Sequence, residues 1–221
     1  IYMEVLGRSI WIALKATAIC LILGYPIAYI LSTMNKRKAA ILYVLFIVPM
    51  WMNFLLRTYS WMTILENNGL LNQLLQKLGI IALYNHLTGS NLEYFTMIDT
   101  QGAVVLGMVY NYLPFMILPI YSVICKLDHS LLEAARDLGA NTLTVFRKVI
   151  LPLSLPGVLS GITMVFVPSV STFAISRMLG GGTELLLGDL IERQFLGGAY
   201  NPQLGAAISL VMMLIVVVCM L

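Results

Sequence analysis

An all-α, polytopic transmembrane bundle is the fold class this sequence predicts. Three observations carry it. Hydrophobic residues make up 60% of the chain and charged residues 10%, the apolar residues gather into five long stretches, and the basic residues collect in alternate loops. Soluble domains carry roughly 25% charged residues, so this composition, with a mean hydropathy of +0.91, belongs in lipid rather than in a soluble core.

The five spans read as residues 9–34, 39–65, 103–125, 149–174 and 204–221, each near or beyond the roughly 18 apolar residues that cross a hydrocarbon core. Loop charge then sets direction. The loop Asn35, Lys36, Arg37, Lys38 is strongly basic, and the loop 126–148 holds Lys126, Arg136, Arg147 and Lys148. Both are expected in the cytoplasm, because basic loops are retained there. Loops 66–102 and 175–203 carry Glu66, Glu93, Asp99, Glu184, Asp189 and Glu192 against only Lys77, Arg177 and Arg193, so they are expected outside. Residues 1–221 are read as one transmembrane domain, its first residue outside and its last inside. A sixth span ahead of Ile1 follows if both ends of the whole protein are cytoplasmic. Opening on Ile1 and closing inside an apolar run at Leu221, the chain is expected to continue beyond both ends.

Two cations fall inside spans. Lys15 and Arg57 both lie towards the outer ends of their helices, where a long side chain can snorkel to the headgroups; a place on a solute path is the other reading. Prolines and glycines punctuate the same spans, among them Gly24 with Pro26, Pro49, Pro114, Pro119, Pro152, Pro156 with Gly157 and Gly161, and Pro168. Neighbouring helices or water must satisfy the carbonyls that such residues free, so either kinked helices around a wet cavity or plain kinking is expected. Cys20, Cys125 and Cys219 show no pairing pattern and read as small buried hydrophobes.

The outer loops carry structure of their own. Leu70, Leu71, Leu74, Leu75 and Leu78 repeat at helical spacing and predict a short interfacial helix. A second amphipathic run, residues 185–195, follows Gly180, Gly181 and Gly182. There Asp189 and Glu192 are either cation-receiving or docking acids, or plain solvated ones.

The loop 126–148 is the most informative. Ser130 with Glu133 three residues on matches a capping box, which starts a helix near Leu131 and sets Leu131, Ala134, Ala135 and Leu138 largely on one side. Gly139 is suited to the left-handed turn that ends a helix. Asn141 or Thr142 then caps a second short helix through Phe146, and Pro152 lies just inside the next span. Such an elbow, continuous with a membrane helix, is a lever: pushing it moves the spans. Glu133, Arg136 and Asp137 offer polar contacts at its rim. An ordinary cytosolic hairpin is the plainer reading of the same residues.

Glu133, Ala134, Ala135, Gly139, then Val149, Leu151 and Pro152 resemble the EAA loop of type I ATP-binding-cassette importer permeases, with valine where isoleucine is usual. The resemblance implies a MetI-like fold in the bacterial inner membrane. It also implies that Glu133, Ala134, Ala135, Arg136, Asp137, Gly139 and Ala140 dock on an ATP-binding subunit dimer. Other implied partners are a second homologous permease and an extracytoplasmic solute-binding protein. The stretches GYPIAY, VPMWMNFLLRTYSW, YNYLPFMILPIYS and EAARDLGA are similar to spermidine/putrescine permeases of that family, which implies a polyamine solute; a permease for another small solute is the alternative.

No GxxxxGK[ST] loop is present, so ATP and magnesium are expected on the partner and no cofactor on this chain. Neither HExxH nor GxSxG occurs, and His86 and His129 fall on opposite predicted sides, which leaves no catalytic cluster and no metal site. Nothing suggests nucleic acid as a partner. A polycation is held by aromatic faces and amide oxygens, which selects Trp51, Asn53, Tyr59, Trp61, Tyr110, Asn111, Tyr112, Phe166, Ser169 and Ser171 as path candidates. For Tyr59 and Trp61 an interfacial aromatic belt is the competing reading. The five spans contain no Asp or Glu, so a weak, transient pathway is expected. That absence also counts against a stand-alone ion-coupled carrier.

Overall fold

The computed structural model describes residues 2–89, 91–182, 185–197 and 200–220, with the side chains at 2, 129, 219 and 220 outside that description. Ile1, Leu221, Glu184 and the side chains of His129 and Cys219 therefore lie beyond it. Among the described residues every regular element is helical.

In chain order the helices are α1 (Tyr2–Thr33), α2 (Lys36–Ile47), α3 (Phe54–Leu65), α4 (Leu70–Lys77), α5 (Ile80–Thr88), α6 (Gln101–Cys125), α7 (His129–Asp137), α8 (Thr142–Val145), α9 (Leu151–Ser171), α10 (Ala174–Leu179), α11 (Leu187–Leu196) and α12 (Pro202–Met220). Three uninterrupted helices are long and apolar enough to cross a membrane: Met3–Thr33, Gln101–Cys125 and Thr142–Ser171. The last joins α8 to α9 through a π-helical segment, Phe146–Ile150. A shorter apolar helix, Pro202–Val218, matches the fifth stretch.

The second stretch differs from the single helix read over residues 39–65. It is broken: α2 tightens into a 3₁₀ turn at Val48–Trp51, the chain leaves the helix at Met52 and Asn53, and α3 starts afresh. Two local causes coincide. Pro49 lacks the N–H that would continue the helical ladder, and Asn53 caps α3, its Oδ1 accepting from the Leu55 N–H at 2.8 Å. The other interior prolines, Pro26, Pro114, Pro119, Pro156 and Pro168, sit within helices that run through them.

The chain divides into two compact units. The first comprises residues 1–16, 52–111 and 169–221. It is built round Ile12, Val104, Met108, Ile175, Leu179 and Leu186, all buried. Gly107 on α6 is what lets α10 approach, since a β-carbon there would meet Leu179 Cδ1 at 2.4 Å. The loop 66–102 is held by asparagines. Asn72, buried in α4, donates to the Glu66 and Phe95 carbonyls and accepts from the Phe95 N–H, while Asn85 bonds Leu92 at both its N–H and its C=O. The short helix expected over these leucines is present as α4; Asn72 is buried, and Leu70, Leu74 and Leu78 are uncovered.

The second unit comprises residues 17–51 and 112–168. Its interior is Ala28, Leu31, Met116, Ile117, Ile120 and Val165. Two glycines one helical turn apart on α9 press against α6: β-carbons at Gly157 and Gly161 would meet the Pro119 carbonyl at 2.9 Å and Met116 Sδ at 2.7 Å. Small residues at such spacing let membrane helices pack backbone to backbone. Cys20 is buried as expected; Cys125 is exposed, because it ends α6 where the chain turns out of the helix.

Candidate coupling elbow and solute path

The elbow is built by its caps. Asp128, rather than Ser130, starts α7: its carboxylate accepts from the Ser130 N–H at 3.0 Å, so the helix begins two residues before the expected position. At the other end the Ala140 N–H reaches the Ala135 carbonyl at 3.1 Å and the Gly139 N–H reaches the Arg136 carbonyl at 2.8 Å. That pair of bonds is a Schellman motif, which needs a left-handed residue at its penultimate position. Gly139 fills it with φ +81°. Nothing lies within 4 Å of where its β-carbon would be, so the requirement for glycine is conformational and not one of space.

Asn141 caps α8 as expected, its Oδ1 accepting from the Thr144 N–H at 2.8 Å. No loop separates α8 from the span. The Leu151 N–H bonds back to the Phe146 carbonyl, a wide turn that accommodates Pro152, which cannot donate to the ladder. At this root Phe146 packs edge-on against Tyr25 and Tyr29 of α1, with ring centroids 5.9 and 5.1 Å apart, and the Tyr25 and Ser154 hydroxyls share a hydrogen bond at 2.8 Å. These four residues were not singled out from the sequence. The available signal was the i, i+4 spacing of Tyr25 and Tyr29, which puts both rings on one helix face.

The apolar surface of the elbow is bare. Leu138 is 89% exposed, Leu143 72% and Leu131 48%. Ala134 shares that exposure, whereas Ala135 and Leu132 are half-buried. Glu133 and Arg136 line a cavity of 590 Å³ with Lys36, Tyr121 and Cys125. Ala135, Gly139 and Ala140 line a second recess of 470 Å³ on the elbow itself. Asp137 is exposed at the rim.

The path candidates separate by burial. Trp51 is 84% exposed at the end of its 3₁₀ turn, and Tyr59 is also exposed. Trp61 and Tyr110 come together as an edge-on pair at 5.2 Å. Asn53 is committed to capping α3. Asn111, Tyr112, Phe166 and Ser169 are buried within the chain, where a solute cannot touch them in this conformation, and Ser171 is half-buried. Asn111 is 1% exposed; its amide donates to the Gly107 carbonyl at 2.9 Å while Oδ1 has no partner. On α9 the hydroxyl left uncovered is Ser160, which the sequence reading passed over.

The outer acids are engaged. Asp189 is 5% exposed and works as a helix cap, its carboxylate accepting from the Leu186 N–H at 3.0 Å and the Ser176 hydroxyl at 2.6 Å. Burial pushes its carboxyl above the usual carboxylate range, against the lowering effect of those two bonds and of Arg193. Glu192 pairs with Arg177 at 2.8 Å. Neither the solvated-acid nor the cation-receiving reading describes Asp189, because its oxygens are already used inside the fold. Lys15 likewise does not reach outward freely: Nζ donates to Gln101 Oε1 at 2.9 Å and lies 5.2 Å from the Trp11 ring centroid. His86 is exposed, on α5 rather than in a loop.

Apolar helices long enough to cross a membrane, with a capped elbow fused to one of them, are the features of a multi-pass membrane protein. Residues 21–221 match the family described as binding-protein-dependent transport system inner membrane component, and the chain belongs to that family. It is 41% identical over 215 residues to the spermidine/putrescine transport system permease protein PotB of Escherichia coli (strain K12), covering 97% of this chain and 74% of that protein. It is 40% identical to the protein of the same name from Haemophilus influenzae, covering 95% of this chain and 70% of that one. Among solved structures it resembles a bacterial ABC transporter involved in import of the acidic polysaccharide alginate, with TM-score 0.74, 15% identity, and coverage of 96% of this chain and 75% of that one. The MetNI methionine ABC transporter matches with TM-score 0.66, 17% identity, and coverage of 98% and 89%. These last two establish the fold. The chain is thus a multi-pass inner membrane transport subunit, not an enzyme.

Proposed function

We propose that this chain is one permease of an ATP-driven importer that carries spermidine and putrescine into the cytoplasm, working by alternating access. The single observation behind the coupling part is the elbow: capped at both arms, ended by left-handed Gly139, continuous with α9, and bare at Leu131, Leu138 and Leu143. An apolar face this uncovered on a water-facing helix needs a partner. In our reading the partner is an ATP-binding subunit dimer, which holds ATP and magnesium, and Glu133, Arg136 and Asp137 contact its rim. Nucleotide-driven closure then moves α9 through its root at Phe146.

The solute assignment rests on the likeness to the two PotB proteins. An extracytoplasmic binding protein delivers the polyamine, and a second permease completes the path. Trp51, Tyr59 and the Trp61–Tyr110 pair are the aromatic surfaces for its ammonium groups. With no carboxylate in the spans, holding is weak and release is easy. The test is uptake by the complete assembly in vesicles, with labelled spermidine and putrescine run beside amino acids and anions. Polyamine uptake that needs ATP inside the ATPase compartment is the expected outcome; selective uptake of another class would replace the solute reading.

A further inference from the structure

The 590 Å³ cavity beside the elbow lies wholly in the second unit and has the size of a small-molecule site. It sits at the ends of three spanning helices: Thr33 closes α1, Cys125 closes α6, and Thr142 opens the helix that becomes α9. Its charged lining is Lys36, Glu133 and Arg136, all exposed. Its apolar lining includes Leu31, Ile124, Val145 and Ile150, all buried. Two hydroxyls in the wall are already in use, Ser32 donating to the Tyr29 carbonyl at 2.6 Å and Thr33 to the Ile30 carbonyl at 2.9 Å. The charges are not: among the described residues none of the three charged side chains makes a hydrogen bond or an ion pair.

Two cations beside one carboxylate ask for a ligand that carries a phosphate and an ammonium together. Lys36 and Arg136 suit the phosphate, the arginine through its planar fork, and Glu133 suits the ammonium as a charge-assisted acceptor. A bare anion leaves Glu133 facing like charge, and a polyamine meets two cations for one acid. The buried lining adds a second requirement: a water-soluble phosphate gains nothing from Leu31, Ile124, Val145 and Ile150, whereas hydrocarbon attached to a headgroup does. Position adds a third, since span ends stand at the depth of lipid headgroups, where basic pockets between helices bind them. We infer that this cavity holds the phosphoethanolamine headgroup of a membrane phospholipid, with the start of its chains on the apolar lining. Glu133 and Arg136 belong to α7 and Lys36 to α2, so the lipid ties the elbow to the corner between α1 and α2. The inference does not depend on the solute assignment. The ATP-binding subunit is the rival for Glu133 and Arg136, and for that reason the test uses the complete assembly.

That assembly, delipidated in detergent, is offered equal amounts of phosphatidylethanolamine, phosphatidylcholine and phosphatidylglycerol, and bound lipid is counted by native mass spectrometry. Phosphatidylethanolamine is expected at least about tenfold above either of the others, because a choline cannot donate a hydrogen bond to Glu133 and a glycerol headgroup has no cation. Lys36→Glu is expected to lower bound phosphatidylethanolamine at least about tenfold, and Lys36→Arg to keep it. The acid stands in the first turn of α2, where the helix dipole favours it, so the melting temperature should hold and separate lost binding from lost folding. Glu133→Gln is expected to remove the preference for ethanolamine over choline while phospholipid still binds. Equal retention of the three lipids overturns the inference, as does a preference for phosphatidylglycerol, which would mark a general anionic-lipid surface. Displacement by inorganic phosphate alone also overturns it and makes the ligand a free anion. So does an assembly that holds no lipid there, which would give the cavity to the ATP-binding subunit.

Discussion

The elbow at residues 128–150 and the outer segment at residues 172–197 are both pairs of short helices joined through glycine, and they treat their surfaces in opposite ways. Around α10 and α11 the polar groups are turned in and consumed. Asp189 accepts from the Ser176 hydroxyl and the Leu186 N–H, Ser9 accepts from the Leu187 N–H at 2.8 Å, and a β-carbon on Gly188 would strike the Thr172 carbonyl at 2.5 Å. Around α7 and α8 the backbone is equally well capped, but Leu131, Leu138 and Leu143 are exposed and nothing lies within 4 Å of where a β-carbon on Gly139 would be. In the first segment the polar groups are consumed within the chain, although Phe173, Phe195 and Leu196 stay uncovered. In the second the backbone is settled while Leu131, Leu138 and Leu143 are uncovered, which is the surface the proposed partner would take.

That contrast breaks first at Asp189. Asp189→Leu strands the buried Leu186 N–H, at a cost of about 1–3 kcal/mol, while the Ser176 hydroxyl keeps the Phe173 carbonyl at 2.8 Å. We expect a clearly lower unfolding temperature in detergent by thermal melting; an unchanged one would show that the outer segment is not sealed in the way described. Gly139→Val forces a β-branched residue into the left-handed region, a strain of roughly 1–2 kcal/mol. Its expected signature differs: uptake falls while the subunit stays in the membrane, and melting drops by no more than that strain accounts for. Full uptake would sink the lever.

A smaller effect is the pH dependence at Asp189. Since its carboxyl titrates above the unfolded value, the folded chain binds that proton more tightly, so the stabilisation is complete below the unfolded pKa and lost as pH rises through the folded one. Acidification through that window should therefore raise the melting temperature of the wild type relative to Asp189→Asn, which does not titrate. Equal slopes for the two proteins would remove the buried-acid assignment. Smallest is Arg177→Ala. Its ion pair with Glu192 leaves the arginine largely exposed, and surface pairs contribute at most about 1 kcal/mol, so melting should barely move.

Much of this was legible from residue order where local chemistry is self-contained. Gly139 and Asn141 do what their types suggest, because a cap involves neighbours within a few positions. The start of α7 shows the limit: Ser130 with Glu133 and Asp128 both offer caps, and only the fold selects Asp128. The break at Met52 and Asn53 was hidden by a run of apolar residues that hydropathy averages into one span, although Pro49 and Asn53 were in view. Rotation of a helix that is apolar all round cannot be read from periodicity. For that reason residue order alone does not show that Phe166 and Ser169 are buried in this chain while Ser160 is uncovered. The burial of Asn72 was equally invisible, since its partners lie across a loop at Glu66 and Phe95.

The unbroken join between α8 and α9 gives the proposed coupling a long arm. Residues Thr142–Ser171 run as one helical span of 30 residues, about 45 Å long at 1.5 Å per residue. Were the elbow driven as proposed and the span to move as one piece, a tilt of about 10° at its root would carry the far tip through roughly 8 Å.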